Sequence, residues 1–141
     1  ALDRYFNLKI IRSGAIYGPG QNIGERILAQ KLIPQGDQPI HRIHVHDLAR
    51  LVLKAVQEIK FPKIVNAIDQ LATSSKAVAI WTMEQSFFNC AHAIQWKPGN
   101  FTRKDLEPHE KRIISNAILL HLKGYQLKYP TYREGLLQSF S

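Results

Sequence analysis

Ile40-His41-Arg42-Ile43-His44-Val45-His46-Asp47-Leu48-Ala49-Arg50-Leu51-Val52-Leu53-Lys54-Ala55-Val56 is the stretch on which the fold turns. Ile40 to Val45 reads as a strand with Ile43 and Val45 on one face. Asp47 then stands where a helix N-cap is expected. Leu48, Leu51, Val52, Ala55, Val56 and Ile59 recur at helical spacing, which predicts an amphipathic helix to about Glu58 with that stripe turned inward. A strand that feeds a helix in this way is half of a parallel crossover unit.

The flanking sequence extends the alternation. Leu8-Lys9-Ile10-Ile11-Arg12 is a β-branched run stopped by Ser13-Gly14, and Ala15 to Asn22, centred on Gly18-Pro19-Gly20, reads as a loop. Ile23 to Gln30 predicts a short helix, and Pro34 to Pro39 a turn. Lys63 to Ile68 is a third strand between Pro62 and Asp69. Thr73-Ser74-Ser75 offers hydroxyls to cap a helix from Lys76 to Phe88 that buries Val78, Ile80, Trp81, Phe87 and Phe88. His92 to Pro108 reads as loop, His109 to Leu122 as a helix ended by Lys123-Gly124, and Thr131 as the cap of a last short helix. This order predicts an α/β fold: about three parallel strands within residues 1–72, then a mainly helical region over 73–141, together one partial domain. Parallel strands need cover on both faces, so so small a sheet reads as incomplete.

The composition agrees with a folded domain. The chain has 141 residues, 45% hydrophobic and 21% charged, with a formal charge of +8. That balance excludes disorder as its overall state, and the length excludes two independent domains. Arg50, Lys54, Ser115, Asn116 and His121 interrupt the longest apolar runs, so no membrane span is expected. The N-terminal residues lack a basic-then-apolar signal pattern, and a lone Cys90 excludes an internal disulfide; a reducing, cytoplasmic setting is the expectation. The basic residues are dispersed and do not alternate with aromatics, so a nucleic-acid partner is not expected.

Ile11-Arg12-Ser13-Gly14-Ala15-Ile16-Tyr17-Gly18-Pro19-Gly20 and Arg42-Ile43-His44-Val45-His46-Asp47-Leu48-Ala49 resemble the C-terminal half of extended, or atypical, short-chain dehydrogenase/reductases of the NAD-dependent epimerase/dehydratase family. Val65-Asn66, Lys111 to Ala117, Gly124-Tyr125 and Tyr129 to Leu136 continue the likeness along nearly the whole chain. The resemblance implies the C-terminal part of a Rossmann-like parallel sheet. It also implies an oxidoreductase that uses NAD or NADP on a small-molecule substrate such as a nucleotide sugar. In that family the Gly-rich dinucleotide loop and the catalytic Tyr-x-x-x-Lys belong to an upstream half. This chain alone is therefore expected to be inactive, to contain no catalytic residue and to bind no cofactor.

By the same resemblance Ser13, Gly14, Ile16 and Pro19 border the cofactor, Arg42 faces the substrate with the forked guanidinium suited to a diphosphate, and Asn66 bonds either the loop or a substrate hydroxyl. Other patterns weigh less. Tyr5 and Lys9 share the Tyr-x-x-x-Lys spacing, but Lys9 sits in an apparent strand; Pro19 removes a donor that a phosphate loop needs. His41, His44 and His46 fall on both faces of a strand, which disfavours a metal site, and Cys90-Ala91-His92 is too tightly spaced for a thiol and its base. Trp81, Phe87, Phe88 and Trp96 read as core aromatics. The alternative reading is a non-catalytic remnant that serves as a binding or interaction module. The uncovered edge of the Leu8 to Arg12 strand is expected to promote self-association.

Overall fold

A computed structural model describes residues 6–31, 38–88 and 114–141. The expectations placed on Tyr5, on the turn at 34–37, on Cys90, His92 and Trp96, on the 92–108 loop and on the start of the 109–122 helix lie outside these residues.

The first strand, β1 (Ile10–Ser13), and β2 (Ala15–Tyr17) are one extended run interrupted at Gly14. At Gly14 the run changes partner from β5 to β4, and only glycine fits there, since a Cβ would sit 2.5 Å from the His41 carbonyl oxygen. Helix α1 (Ile23–Leu28) follows, then β3 (Pro39–Ile40), β4 (Arg42–His44), α2 (Val45–Gln57) and β5 (Ile64–Ala67). The remainder comprises β6 (Thr73–Ser74), α3 (Ser75–Glu84), α4 (Ala117–Leu120) and α5 (Tyr132–Phe140). β1 pairs in parallel with β5, Ile11 opposite Val65; β2 pairs in parallel with β4, Ile16 opposite Ile43; β3 and β6 make a short antiparallel contact. The expected α/β class and parallel pairing are present.

The main core lies under α2, where Leu51 and Ala55 pack with Ile43, Val65, Ala67, Leu119 and Leu127. A second cluster joins Tyr17 of β2 to Val78 of α3 and to Tyr132 and Leu136 of α5. Capping follows the sequence: Ser74 Oγ accepts the Ala77 N–H at 3.1 Å, and Thr131 with Glu134 forms a reciprocal capping box on α5.

Several boundaries differ from expectation. The Ala15 to Asn22 loop contains strand β2, because Ala15 to Tyr17 find hydrogen-bonding partners in a strand distant in sequence. The expected strand from Ile40 to Val45 ends at His44, whose Nδ1 accepts the His46 N–H at 3.2 Å and caps α2; Asp47 lies inside the first turn and is not the N-cap. Helix α3 stops at Glu84 and leaves Ile80 exposed. Ile114 to Asn116 are not helical, and α4 is a single turn. Of the stripe expected to face inward, Val52, Val56 and Ile59 point outward.

Candidate functional site

A pocket of about 430 Å³ runs along β2 and is bordered by the turn that follows it. One wall is Ala15, Ile16 and Tyr17; the Gly20 to Ile23 turn and the first turn of α1 form a second, and Arg42 and Ser75 the third. Gly20 adopts φ of +77°, which lets the chain turn back so that Asn22 Oδ1 can accept the Glu25 N–H at 3.0 Å and start α1.

Arg42 is the charged group built into this wall, and it is only 5% exposed. Its Nη1 donates to the Ile40 carbonyl at 3.1 Å and to the Thr73 carbonyl, and its Nη2 donates to Ser75 Oγ at 3.1 Å. The guanidinium therefore ties together β3, β6 and the start of α3, using three donors of its five-donor fork. Burial pulls its pKa below the ordinary value, and the Asp69 carboxylate acts in the opposite direction. Arg42 is thus no surface cation: removing it opens buried hydrogen bonds as well as the pocket wall.

Asp69 is 2% exposed, and burial pushes its carboxyl up to about 7. Oδ1 accepts the Leu71 N–H at 3.2 Å, while Oδ2 has no hydrogen-bond partner among the described residues. Tyr17 donates its hydroxyl to the Thr131 carbonyl at 3.1 Å, and burial, then Asp69, holds the phenol well above its usual range. Tyr17 is consequently a fixed donor and shape element, not a base. His44 is fully buried with its ring centroid 4.0 Å from that of Tyr129, and burial lowers its pKa. Because Nδ1 accepts from His46, the proton belongs on Nε2, which has no partner among the described residues.

Of the residues expected from sequence, Ile16 and Arg42 line this pocket together. Ser13, Gly14, Pro19 and Asn66 do not line it: Ser13 and Pro19 are exposed, Gly14 is pressed against His41, and the Asn66 amide donates to the Ser115 carbonyl at 3.0 Å. His41 accepts the Ile114 N–H at 3.1 Å on Nε2, so His41 and His44 each hold main-chain groups. Sequence reasoning missed Ser75 and Tyr17 as lining residues, and Asp69, which is outside the lining but acts electrostatically on Arg42 and Tyr17. Ser75 was legible only as a hydroxyl near a helix start, Tyr17 only within a Tyr-Gly-Pro-Gly turn, and Asp69 only as a strand boundary.

The Gly18 to Gly20 turn does not fit a dinucleotide phosphate. The Gly18 N–H bonds to the Gln21 carbonyl at 3.0 Å, the Gln21 N–H bonds back to the Gly18 carbonyl at 3.1 Å, and the Asn22 amide adds a third closure at 2.9 Å. Those N–H groups are consumed within the turn.

No family model matches the chain, and no curated protein matches it by sequence. Solved structures do match. A functionally unknown conserved protein from Silicibacter pomeroyi superposes with a TM-score of 0.65 at 24% identity, covering 96% of this chain and 48% of its own. UDP-glucose 4-epimerase from Thermotoga maritima, solved with UDP-glucose, gives a TM-score of 0.68 at 18% identity over 97% of this chain and 46% of the epimerase. dTDP-glucose 4,6-dehydratase from Streptomyces venezuelae, solved with NAD bound, gives 0.63 at 14% identity over 96% and 43%. These likenesses show the fold: a Rossmann-like α/β arrangement that spans about half the length of each matched chain.

Proposed function

We propose that the chain is the substrate-side, C-terminal portion of an NAD(P)-dependent nucleotide-sugar epimerase/dehydratase-like oxidoreductase of the extended short-chain dehydrogenase/reductase type. The observation that carries this reading is the buried Arg42 fork in the wall of the pocket that runs along β2. Its setting is a fold shared with two enzymes whose names specify nucleotide sugars. A desolvated guanidinium in a pocket wall suits a phosphate-bearing ligand, because a charge-assisted bond gains strength where water is excluded.

Arg42 takes the anionic part of the substrate, and Ser75 holds the fork in place. Asn66 is the second substrate-side residue and contributes less, since its amide nitrogen already serves Ser115. Ser13, Ile16 and Pro19 keep exposed positions, as a border to a nicotinamide requires, and Gly14 keeps that border close to β4. A nicotinamide bound to the complete fold would supply hydride transfer, and Ser13, Gly14, Ile16 and Pro19 would border it; no residue of this chain is assigned to that chemistry.

Ligand-detected NMR with UDP-glucose and dTDP-glucose tests the reading on the chain and on an Arg42→Lys variant. Lysine preserves the charge but loses the fork. Saturable binding that weakens about tenfold in the variant, or roughly 1.4 kcal/mol, is the expected result. Equal affinity, or no binding to either protein, overturns it in favour of a non-catalytic interaction module. Calorimetry with NAD(H) and NADP(H) is expected to show no micromolar binding to the chain.

A further inference from the structure

A guanidinium and a carboxyl lie buried next to each other at the pocket wall without forming an ion pair. Arg42 directs its described bonds to neutral acceptors, the Ile40 and Thr73 carbonyls and the Ser75 hydroxyl. Among the described residues no carboxylate lies within ion-pair distance of it. Asp69 stands just past the end of β5 and is as deeply buried. Its N–H bonds to the Arg42 carbonyl at 2.6 Å, which makes the two residues neighbours through the main chain. Its Oδ1 accepts from Leu71, whereas its buried Oδ2 has no partner among the described residues.

The groups around the Asp69 carboxyl act on it in both directions. Burial opposes its ionisation, the Leu71 N–H and Arg42 on β4 favour it, and Glu134 on α5 opposes it again. The Tyr17 hydroxyl on β2 is committed to the Thr131 carbonyl, so its single proton is not offered to Oδ2. His44 packs edge-on to the Tyr17 ring, 5.2 Å between centroids, and burial lowers its pKa. On the pocket side Arg42 shares the lining with Glu25, Arg26 and Lys31. A buried cation attracts whichever anion reaches it, and a carboxylate without water or donors is costly to ionise. Arg42 consequently has two available counter-anions, one inside the protein and one that a ligand brings.

We propose that Asp69 competes with the ligand for Arg42, so that the pocket accepts a sulfate- or phosphate-type oxyanion together with one proton, which passes from solvent to the Asp69 carboxylate. Neutral, Asp69 leaves the Arg42 charge to the ligand; ionised, it neutralises that charge from behind the wall. The carboxyl titrates near 7 without a ligand, which puts the competition in a mild pH range. The sign follows from linkage. An anion beside Arg42 disfavours a second negative charge nearby and raises the Asp69 pKa, and by reciprocity the anion is held more weakly once Asp69 ionises. Affinity is therefore high on the acid side and falls as pH rises through about 7. The inference rests on the reading of Arg42 as the anion anchor, but on no particular nucleotide sugar.

The test uses this chain with sodium sulfate, whose charge does not change in this pH range, and with UDP-glucose. The ¹³C resonance of the Asp69 carboxyl, identified by its absence from Asp69→Asn, is followed across the titration. Saturating sulfate at matched ionic strength is expected to raise its midpoint by about one pH unit, and the sulfate Kd to grow about tenfold between about pH 6 and about pH 8. Asp69→Asn is expected to bind sulfate with an affinity that does not vary over the same range. His44, Glu134 and the charged residues of the lining are present in both proteins, so a slope that survives in the variant belongs to them and overturns the proposal. An Asp69 midpoint that sulfate does not move, or no sulfate binding at all, overturns it as well. UDP-glucose separates this inference from the proposed function. A sulfate-shifted Asp69 titration without UDP-glucose binding supports the proton competition and overturns the nucleotide-sugar reading; UDP-glucose binding that is pH-independent in both proteins does the reverse.

Discussion

The Asp47 carboxylate holds the main chain at Tyr129: Oδ2 accepts the Tyr129 N–H at 2.9 Å, and Oδ1 accepts the neighbouring Lys128 N–H at the same distance. Tyr125 returns a bond from its hydroxyl to the Asp47 carbonyl at 2.7 Å, and Arg50 meets Oδ1 at 3.1 Å. A fully buried side chain in the first turn of α2 thereby positions the segment that brings Tyr129 onto His44 and delivers Thr131 and Tyr132 to Tyr17. The pocket's back wall depends on this connection.

Asp47→Ala is accordingly expected to strand two N–H groups and to cost roughly 3 kcal/mol or more. Asp47→Asn keeps one acceptor and should cost less. Urea unfolding midpoints of the two variants check the order; equal and small losses would mean that water replaces the carboxylate.

Arg42→Ala is expected to destabilise the fold by about 3 kcal/mol, because three hydrogen bonds inside the protein lose their donor. Ser75→Ala removes one of them and should cost about 1 kcal/mol. Chemical denaturation of both variants measures this. A wild-type midpoint for Arg42→Ala would return the residue to the status of a surface charge.

Asp69 makes stability pH-dependent in an unusual direction. Its carboxyl titrates near 7 in the folded protein, above the unfolded value of roughly 3.9, so the folded state holds the proton more tightly. Its contribution is present below pH 4 and is lost as pH rises from about 4 through 7, by up to about 4 kcal/mol. Asp69→Asn should remove this slope and be more stable than the parent at pH 8. Denaturation midpoints of the pair across pH 4 to 8 decide; parallel curves would refute the assignment.

Gly135 faces the Tyr17 ring so closely that a Cβ there would lie 2.4 Å from the Tyr17 hydroxyl oxygen. Gly135→Ala is expected to cost roughly 1 to 3 kcal/mol by overpacking. Tyr17→Phe in the same chain deletes the nearest atom and should recover part of the loss. A double-mutant cycle of thermal melts measures that coupling, and additive losses would show that α5 simply shifts.

The local signals in the chain were sufficient for the elements whose cause is local. Thr131 with Glu134 and Ser74 with Ala77 satisfy main-chain groups within one helical turn, so their sequence spacing alone locates the helix starts. The β-branched run at Ile10 and the stripe through Leu51 and Ala55 likewise determined a parallel strand and a helix packed on it. Only the tertiary structure could decide what Asp47, Arg42 and Val56 do. Asp47 resembles a cap because it stands beside a helix start, yet its partners lie far along the chain, at Lys128 and Tyr129. Arg42 is polar in any window of sequence, and its burial follows from the convergence of Ile40, Thr73 and Ser75 around it. Periodicity predicts one inward stripe through Leu51, Val52, Ala55 and Val56, but the sheet can cover only one side of α2, and it covers Leu51 and Ala55, while Val56 is exposed and Ile59 lies beyond the helix end.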